Sequence, residues 1–144
     1  MAIDKNERSY AQVKFVKPKR KKRTEPFIMI DSKILNSSAY KDLSYSARSV
    51  LVEVLNFFTG SNNGRIWISP SVLSDRGFSK NTATRAYKEL ITHGFIYMTR
   101  RGGNQRGGCS WFALTWHDIK KVDGQYLDNF CRDAYLKWAP SPKK

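Results

Sequence analysis

Five side chains that suit hydrogen bonds to nucleotides recur within nine residues of the sequence, namely Lys80, Asn81, Thr84, Arg85 and Lys88. Spacings of one, three and four place them on one face of a helix. The Arg85 guanidinium fits the paired acceptors of guanine, and the Asn81 amide fits adenine. Lys80 and Lys88 suit phosphates, and Ser79 or Thr82 could donate to a backbone oxygen near the helix start. The pattern predicts a helix face that contacts DNA.

An ordinary amphipathic helix with a solvated polar face is the alternative interpretation of this pattern. Such faces usually alternate positive and negative side chains, whereas Glu89 is the one acidic residue between positions 79 and 93. The opposite stripe is apolar and is predicted to be buried; it comprises Ala83, Ala86, Tyr87, Leu90 and Ile91. The charge pattern therefore favours a polyanionic partner over water alone.

A second basic segment, RRGGNQRGG, occupies residues 100–108 between two β-like runs. Glycine permits close backbone approach, and arginine suits narrow and strongly negative grooves. The segment is predicted to be a hairpin tip that contacts DNA through Arg100, Arg101, Asn104, Gln105 and Arg106. A flexible solvated loop, or a loop with phosphate contacts alone, would have the same composition.

The net charge of +14 is concentrated in particular segments. Residues 1–26 hold nine Lys/Arg against three Asp/Glu, and residues 64–116 hold eight against two. The first segment predicts a flexible basic arm that binds phosphates through Lys17, Lys19, Arg20, Lys21, Lys22 and Arg23. A solubilising tail and a nuclear-import signal remain alternatives for the arm. Residues 140–144 form a second, short basic tail.

The sequence does not favour catalysis. His93 precedes a glycine at a predicted helix end, where capping is the simpler role, and His117 has no evident partner. Cys109 and Cys131 fit no metal-ligand spacing. We therefore expect no enzyme activity, no metal and no cofactor. With no long apolar run or secretory signal, a cytoplasmic, nucleoid-associated protein without membrane contact is expected.

The elements that must position these side chains are marked by serine caps and glycine stops. Ser44 begins a predicted helix that ends near Gly60. Ser69 and Pro70 begin a second helix that ends at Gly77, and Ser79 begins a third that ends at Gly94. Strands are predicted at 95–99 and 109–115. Weaker signals predict an extended segment or edge strand at 27–30, a short helix at 34–40, a short strand at 65–68 and a last helix from Asp123 or Gly124 to Trp138.

The phrases NNGRIWIS, GFSKNTATRAYKELITHGFIYMTRRGG and WFALTW resemble the winged helix-turn-helix superfamily over residues 43–116. The resemblance is strongest to small regulators and replication-associated proteins of plasmids, phages and other mobile elements. It implies that the helix from Ser79 enters the major groove and that the hairpin is the wing. The expected fold is α+β and mainly α: a three-helix core with a β-hairpin wing over residues 27–139, an extra C-terminal helix and a disordered basic arm.

The expected function is sequence-specific binding of double-stranded DNA, in regulation of transcription or replication of a mobile element. A homodimer is plausible, with residues 125–138 or 27–40 at its interface, as is a larger nucleoprotein complex. Two alternatives remain: an adaptor that docks on a protein or nucleoprotein complex, and an RNA-binding protein.

Overall fold

The computed structural model describes residues 18–22, 25–103, 109–120 and 125–142. Within these ranges the fold is α+β and mainly helical. Five α-helices are present: α1 Ser32–Leu35, α2 Ser38–Asp42, α3 Tyr45–Phe57, α4 Pro70–Asp75 and α5 Lys80–Thr92. They are followed by the strands β1 Ile96–Arg100 and β2 Trp111–Leu114 and a 3₁₀ helix, Ala134–Lys137.

Serine side chains begin the three main helices, as the sequence predicts. Ser44, Ser69 and Ser79 each accept a hydrogen bond from the third residue that follows, through Ala47 N, Val72 N and Thr82 N. Each bond satisfies one of the amide groups that a helix start leaves without a partner. Pro70 follows its cap directly, where the missing amide hydrogen costs no hydrogen bond.

α3 packs against α5, and α5 also packs against β1 of the hairpin. The buried side chains form one cluster around Leu51, Val54, Leu73, Leu90 and Phe95. The predicted apolar stripe of α5 is confirmed at Ala83, Ala86 and Leu90, while Tyr87 and Ile91 are half-buried at its margin. The core thus fixes which face of α5 points outward.

α4, the turn Arg76–Ser79 and α5 follow in close succession. Gly77 in this turn has φ +92°, a left-handed conformation that favours glycine. Phe78 N donates to Leu73 O, and Arg76 Nε lies 2.5 Å from Glu53 Oε2 on α3. The turn is therefore held to both α4 and α3, and Arg76, although exposed, is paired with Glu53.

β1 and β2 form an antiparallel hairpin in which Ile96 pairs with Leu114 and Met98 with Phe112. A bulge between Met98 and Arg100 shifts the register, so that Arg100 pairs with Trp111. The predicted strand at 65–68 is present as a single bridge between Ile66 and Phe112. Both Ile66 and Ile68 are buried, as expected for alternate residues on one face of an extended segment.

The predicted last helix is wrong. Among the described residues from 125 onward, only Ala134–Lys137 is helical, and it is a 3₁₀ turn. Tyr126 N donates to Thr99 O, and Asp133 has φ 53° with its N–H on Thr115 O. These hydrogen bonds to distant residues of the sequence, together with a residue in the left-handed conformation, are incompatible with a continuous helix. The apolar side chains instead cover the hairpin: Phe130 packs on Tyr97, and Tyr135 stacks on Phe95 with ring centroids 5.4 Å apart.

The N-terminal elements agree only in part with the predictions. Residues 27–30 form no strand, which leaves the extended segment of the two predicted alternatives, and Phe27, Ile28 and Met29 are exposed. The short helix predicted at 34–40 is two helices, because Ser37 interrupts it by accepting from Tyr40 N and donating to Ile34 O. Nowhere in the described ranges is there a helix both long and apolar enough to cross a bilayer.

Candidate nucleic-acid interface

The outward face of α5 presents the predicted contact residues. The side chains of Ser79, Lys80, Asn81, Thr84, Arg85 and Lys88 are exposed, and Thr82 is half-buried. Ser79 Oγ donates to Thr82 Oγ1 while it caps the helix, and Thr84 Oγ1 donates to Lys80 O. These hydroxyls already have partners within the helix. Arg85, Asn81 and the two lysines are therefore the groups best placed to bind a ligand.

Glu89 lies at the edge of this face and is bound to Ser44, the N-cap residue of α3. Its carboxylate accepts from Ser44 N at 2.6 Å and from Ser44 Oγ at 2.7 Å. A carboxylate at a helix start complements the positive end of the helix dipole. Because the acidic residue of α5 stabilises the start of α3, the exposed strip has no negative charge of its own. The same two bonds also fix the orientation of α5.

α5 and the hairpin border one groove of about 450 Å³. Thr84 and Lys88 line it from the helix, and Gly102, Gly103 and Ser110 line it from the hairpin. The strip of α5 and the base of the hairpin tip thus meet at the same surface. A duplex seated on α5 would lie beside the hairpin.

Tyr87 and Phe112 form the floor of this groove. Their rings stack with centroids 5.0 Å apart and an interplanar angle of 8°. Burial raises the pKa of Tyr87 to about 12, and its hydroxyl lies 3.4 Å from Ile68 O. The phenol therefore stays neutral at physiological pH and adds no negative charge to the groove.

The hairpin residues divide between two faces. The Arg100 guanidinium lies 4.6 Å from the centroid of the Trp111 ring, and Trp111 is on the face opposite the buried Phe112. Arg101 is exposed, and Gly102 N donates to Ser110 Oγ. The other predicted tip contacts, Asn104, Gln105 and Arg106, lie outside the described residues.

Part of the predicted arm is described. Lys19, Arg20, Lys21 and Lys22 are exposed and belong to no helix or strand. Lys17 and Arg23 lie outside the described ranges. These described cations form no ion pair with α5 or the hairpin, so the predicted role of the arm rests on its charge alone.

Two of the residues considered for catalysis, His93 and Cys131, have hydrogen-bond partners within the fold. His93 follows α5 and places Nε2 2.8 Å from Asp42 Oδ2 and Nδ1 2.8 Å from Glu89 O. Its ring stacks on Trp138 at 4.6 Å. Cys131 accepts a hydrogen bond from Lys137, which raises the pKa of that amine. Across the described ranges, no three His, Cys, Asp or Glu side chains converge on a point where a metal ion could bind.

From the sequence, Trp67 and Trp111 are interpreted as core or rim residues, with stacking on single-stranded bases as the alternative, whereas Asn63 has no predicted role beyond its loop. Asn63 is buried and bonds to both backbone groups of Leu114, and Trp67 is exposed beside Trp111. The composition of the loop 61–64 does not predict the hydrogen bonds between Asn63 and Leu114. Alternation around the buried Ile66 and Ile68 could have identified Trp67 as outward-facing.

No family model matches the chain, and comparison with curated proteins and with solved structures returns no match. Any functional conclusion therefore depends on the residues and on their geometry.

Proposed function

We propose that the chain is a winged helix-turn-helix protein that binds double-stranded DNA in a sequence-specific manner. In this proposal α5 enters the major groove and the hairpin, as the wing, contacts the flanking backbone. The order α3, Ile66 bridge, α4, α5 and hairpin supports the assignment. The single observation that carries this proposal is the exposed polar and basic strip on α5, beside which the Glu89 carboxylate is bound to Ser44.

Within that strip, Arg85 and Asn81 would read base edges, and Lys80 and Lys88 would neutralise phosphates. Arg101 and the tip residues would add contacts to a second backbone segment. The basic arm would supply affinity that does not depend on sequence. From the resemblance in residues 43–116, we propose a role in transcription or replication of a mobile element.

The test begins with selection of preferred duplexes from a random pool. Affinity is then measured for the selected duplex and a scrambled one, with the wild type and with Arg85→Ala. We expect Arg85→Ala to reduce the discrimination between the two duplexes by ~1–3 kcal/mol, because a bidentate base contact is lost. Lys33→Ala, which removes one exposed charge on α1, is the matched control and should leave discrimination unchanged.

The proposal fails if selection enriches no sequence, or if Arg85→Ala and Lys33→Ala have the same effect. Binding that disappears on removal of residues 1–26, while Arg85→Ala changes nothing, would instead favour an adaptor that holds nucleic acid by charge. Tighter binding to structured RNA than to every duplex would favour the RNA alternative.

A further inference from the structure

The face of the hairpin that points away from α5 carries an exposed aromatic and cationic surface. Ile66 bridges to Phe112, and both side chains are buried on the inner face. Alternation therefore places the next residues along these strands, Trp67 and Trp111, on the outer face. We call the surface formed by Arg65, Trp67, Arg100 and Trp111 the outer-face platform.

Trp67 is 50% exposed, although large aromatic side chains contribute most to stability when they are buried. Trp111 is half-buried, with the Arg100 guanidinium 4.6 Å from its ring centroid. Beside them lies a recess of about 380 Å³ whose lining is Asn62, Arg65, Trp67, Cys109 and Trp111. The amide of Asn62 is already bound, because its Oδ1 accepts from Thr59 N and its Nδ2 donates to Phe57 O. The recess thus leaves a flat ring accessible next to a guanidinium.

The charge of the platform narrows the class of ligand. Arg65 is exposed, Arg100 is on the same side, and no carboxylate is among the residues that line the recess. Proteins that hold single strands combine aromatic rings, on which bases stack, with positive charges along the backbone path. A paired base cannot stack there, because its two faces are covered by its neighbours in the duplex.

We propose that the outer-face platform binds unpaired nucleotides of a single-stranded nucleic acid. A base stacks on the indole of Trp67, and Arg65 and Arg100 bind the adjacent phosphates. This activity goes beyond duplex reading by α5, since it uses the opposite face of the hairpin. The two sites together would suit a junction at which a duplex continues into a single strand.

The experiment measures binding of labelled strands of about 12 nucleotides, a length within the usual range for such sites. The probes are oligo-dT, oligo-rU and an abasic DNA strand of equal length, which keeps the phosphates and lacks the bases. The variants are Trp67→Ala, Trp67→Phe and Arg65→Ala. Tyr45→Ala is the matched control, because Tyr45 is 84% exposed and also lies near a guanidinium, that of Arg48 at 5.6 Å.

We expect Trp67→Ala to weaken binding of oligo-dT by about 10-fold or more, and Trp67→Phe to restore most of it, because stacking needs a ring. Binding of the abasic strand and of the selected duplex should change less than about 2-fold, since phosphate contacts remain. Arg65→Ala should weaken binding of all single strands and lower its salt dependence. Comparison of oligo-dT with oligo-rU identifies the sugar that the site prefers.

The proposal is overturned if the wild type binds the abasic strand as tightly as oligo-dT, or if Trp67→Ala behaves like Tyr45→Ala. Equal thermal unfolding midpoints for the wild type and the Trp67 variants establish that binding is compared between folded proteins. Duplex discrimination by Arg85 is measured separately, so failure at either site leaves the other result interpretable.

Discussion

At the scale of single residues, Asn63 shows how one buried amide organises the molecule. Its Nδ2 donates to Leu114 O at 3.0 Å and His117 O at 3.1 Å, and its Oδ1 accepts from Leu114 N at 2.7 Å. Asn63 is 5% exposed, so these bonds are shielded from solvent in the folded state. One side chain therefore joins the loop before Ile66 to the end of β2.

We predict that Asn63→Ala lowers the free energy of unfolding by about 3 kcal/mol, because it leaves buried backbone groups without partners. Urea unfolding is the measurement. Asn56→Ala, at an exposed position on α3, is the control and should change stability little. A loss below about 1 kcal/mol at Asn63 would show that water or rearrangement satisfies the freed groups.

His117 gives a prediction on pH. Burial lowers the pKa of His117 below its ordinary value of 6.5, and Arg132 lowers it further against the opposing effects of Asp31 and Asp118. The folded state therefore binds this proton more weakly than the unfolded state. The contribution of His117 to the free energy of unfolding is fully present above the pKa that His117 has in the unfolded state. It declines as the pH falls below that value and stops declining below the pKa of the folded state.

The measurement is the free energy of unfolding of the wild type and of His117→Gln between about pH 8 and pH 5. The wild type should lose more stability than the variant as the pH falls. A difference between the two proteins that stays constant across this range would contradict the lowered pKa.

At the scale of elements, two glycines that end helices have different surroundings. Gly77 and Gly94 have φ +92° and +81°. A Cβ on Gly77 would meet nothing within 4 Å, whereas one on Gly94 would lie 2.6 Å from both Ala134 C and Tyr135 N. Gly94 therefore ends α5 and also admits the backbone of the C-terminal segment.

We predict that Gly77→Ala costs ~1–2 kcal/mol, the penalty for a left-handed alanine. Gly94→Ala should cost about 2 kcal/mol more, because backbone atoms must also move. Thermal and urea unfolding of the two variants provide the comparison. Equal losses of stability in the two variants would mean that the backbone at Ala134 and Tyr135 moves to admit the added Cβ at no cost in free energy.

The elements that the sequence predicts well are those with local signals. Ser44, Ser69 and Ser79 mark helix starts by bonds within a single turn, and the apolar stripe of α5 follows from its own spacing. The last helix was predicted from the same kind of spacing and is wrong, because Tyr126 and Asp133 bond to Thr99 and Thr115, far away in the chain. Such partners cannot be recognised from the spacing of the segment itself.

The features of the candidate site also divide into those that local sequence signals predict and those that depend on distant partners. The exposed strip on α5 was predictable, since it is the complement of a buried stripe. The Ser44–Glu89 contact was not, because 45 residues separate the two partners. The outer-face platform depends on the pairing of Ile66 with Phe112, which likewise joins distant segments.

At the scale of the whole molecule, positive charge is divided between the arm and the folded part. Residues 1–26 and residues 64–116 each carry a net charge of +6. Each phosphate that a cation neutralises releases counterions, so both parts contribute to affinity and to its salt dependence. Contacts with the base edges of a duplex, in contrast, belong to α5 alone in the proposed mode of duplex binding.

We predict that deletion of residues 1–26 weakens binding to the selected and the scrambled duplex by the same factor, and lowers the salt dependence of both. Discrimination between them should stay as in the full chain. Titrations at several salt concentrations provide the measurement. A loss of discrimination on deletion would assign sequence reading to the arm, as in minor-groove contacts.

The bond between Asn63 and Leu114 also bears on the order of events in folding. It closes a stretch of 51 residues, which includes α4, α5 and the whole hairpin. Closing a long loop costs entropy before any contact compensates for it, whereas the helices form from near neighbours. We expect this amide to engage late, after the hairpin exists. The strength of the bonds between Asn63 and Leu114 then affects mainly the rate of unfolding, whereas the rate of folding depends on the helices.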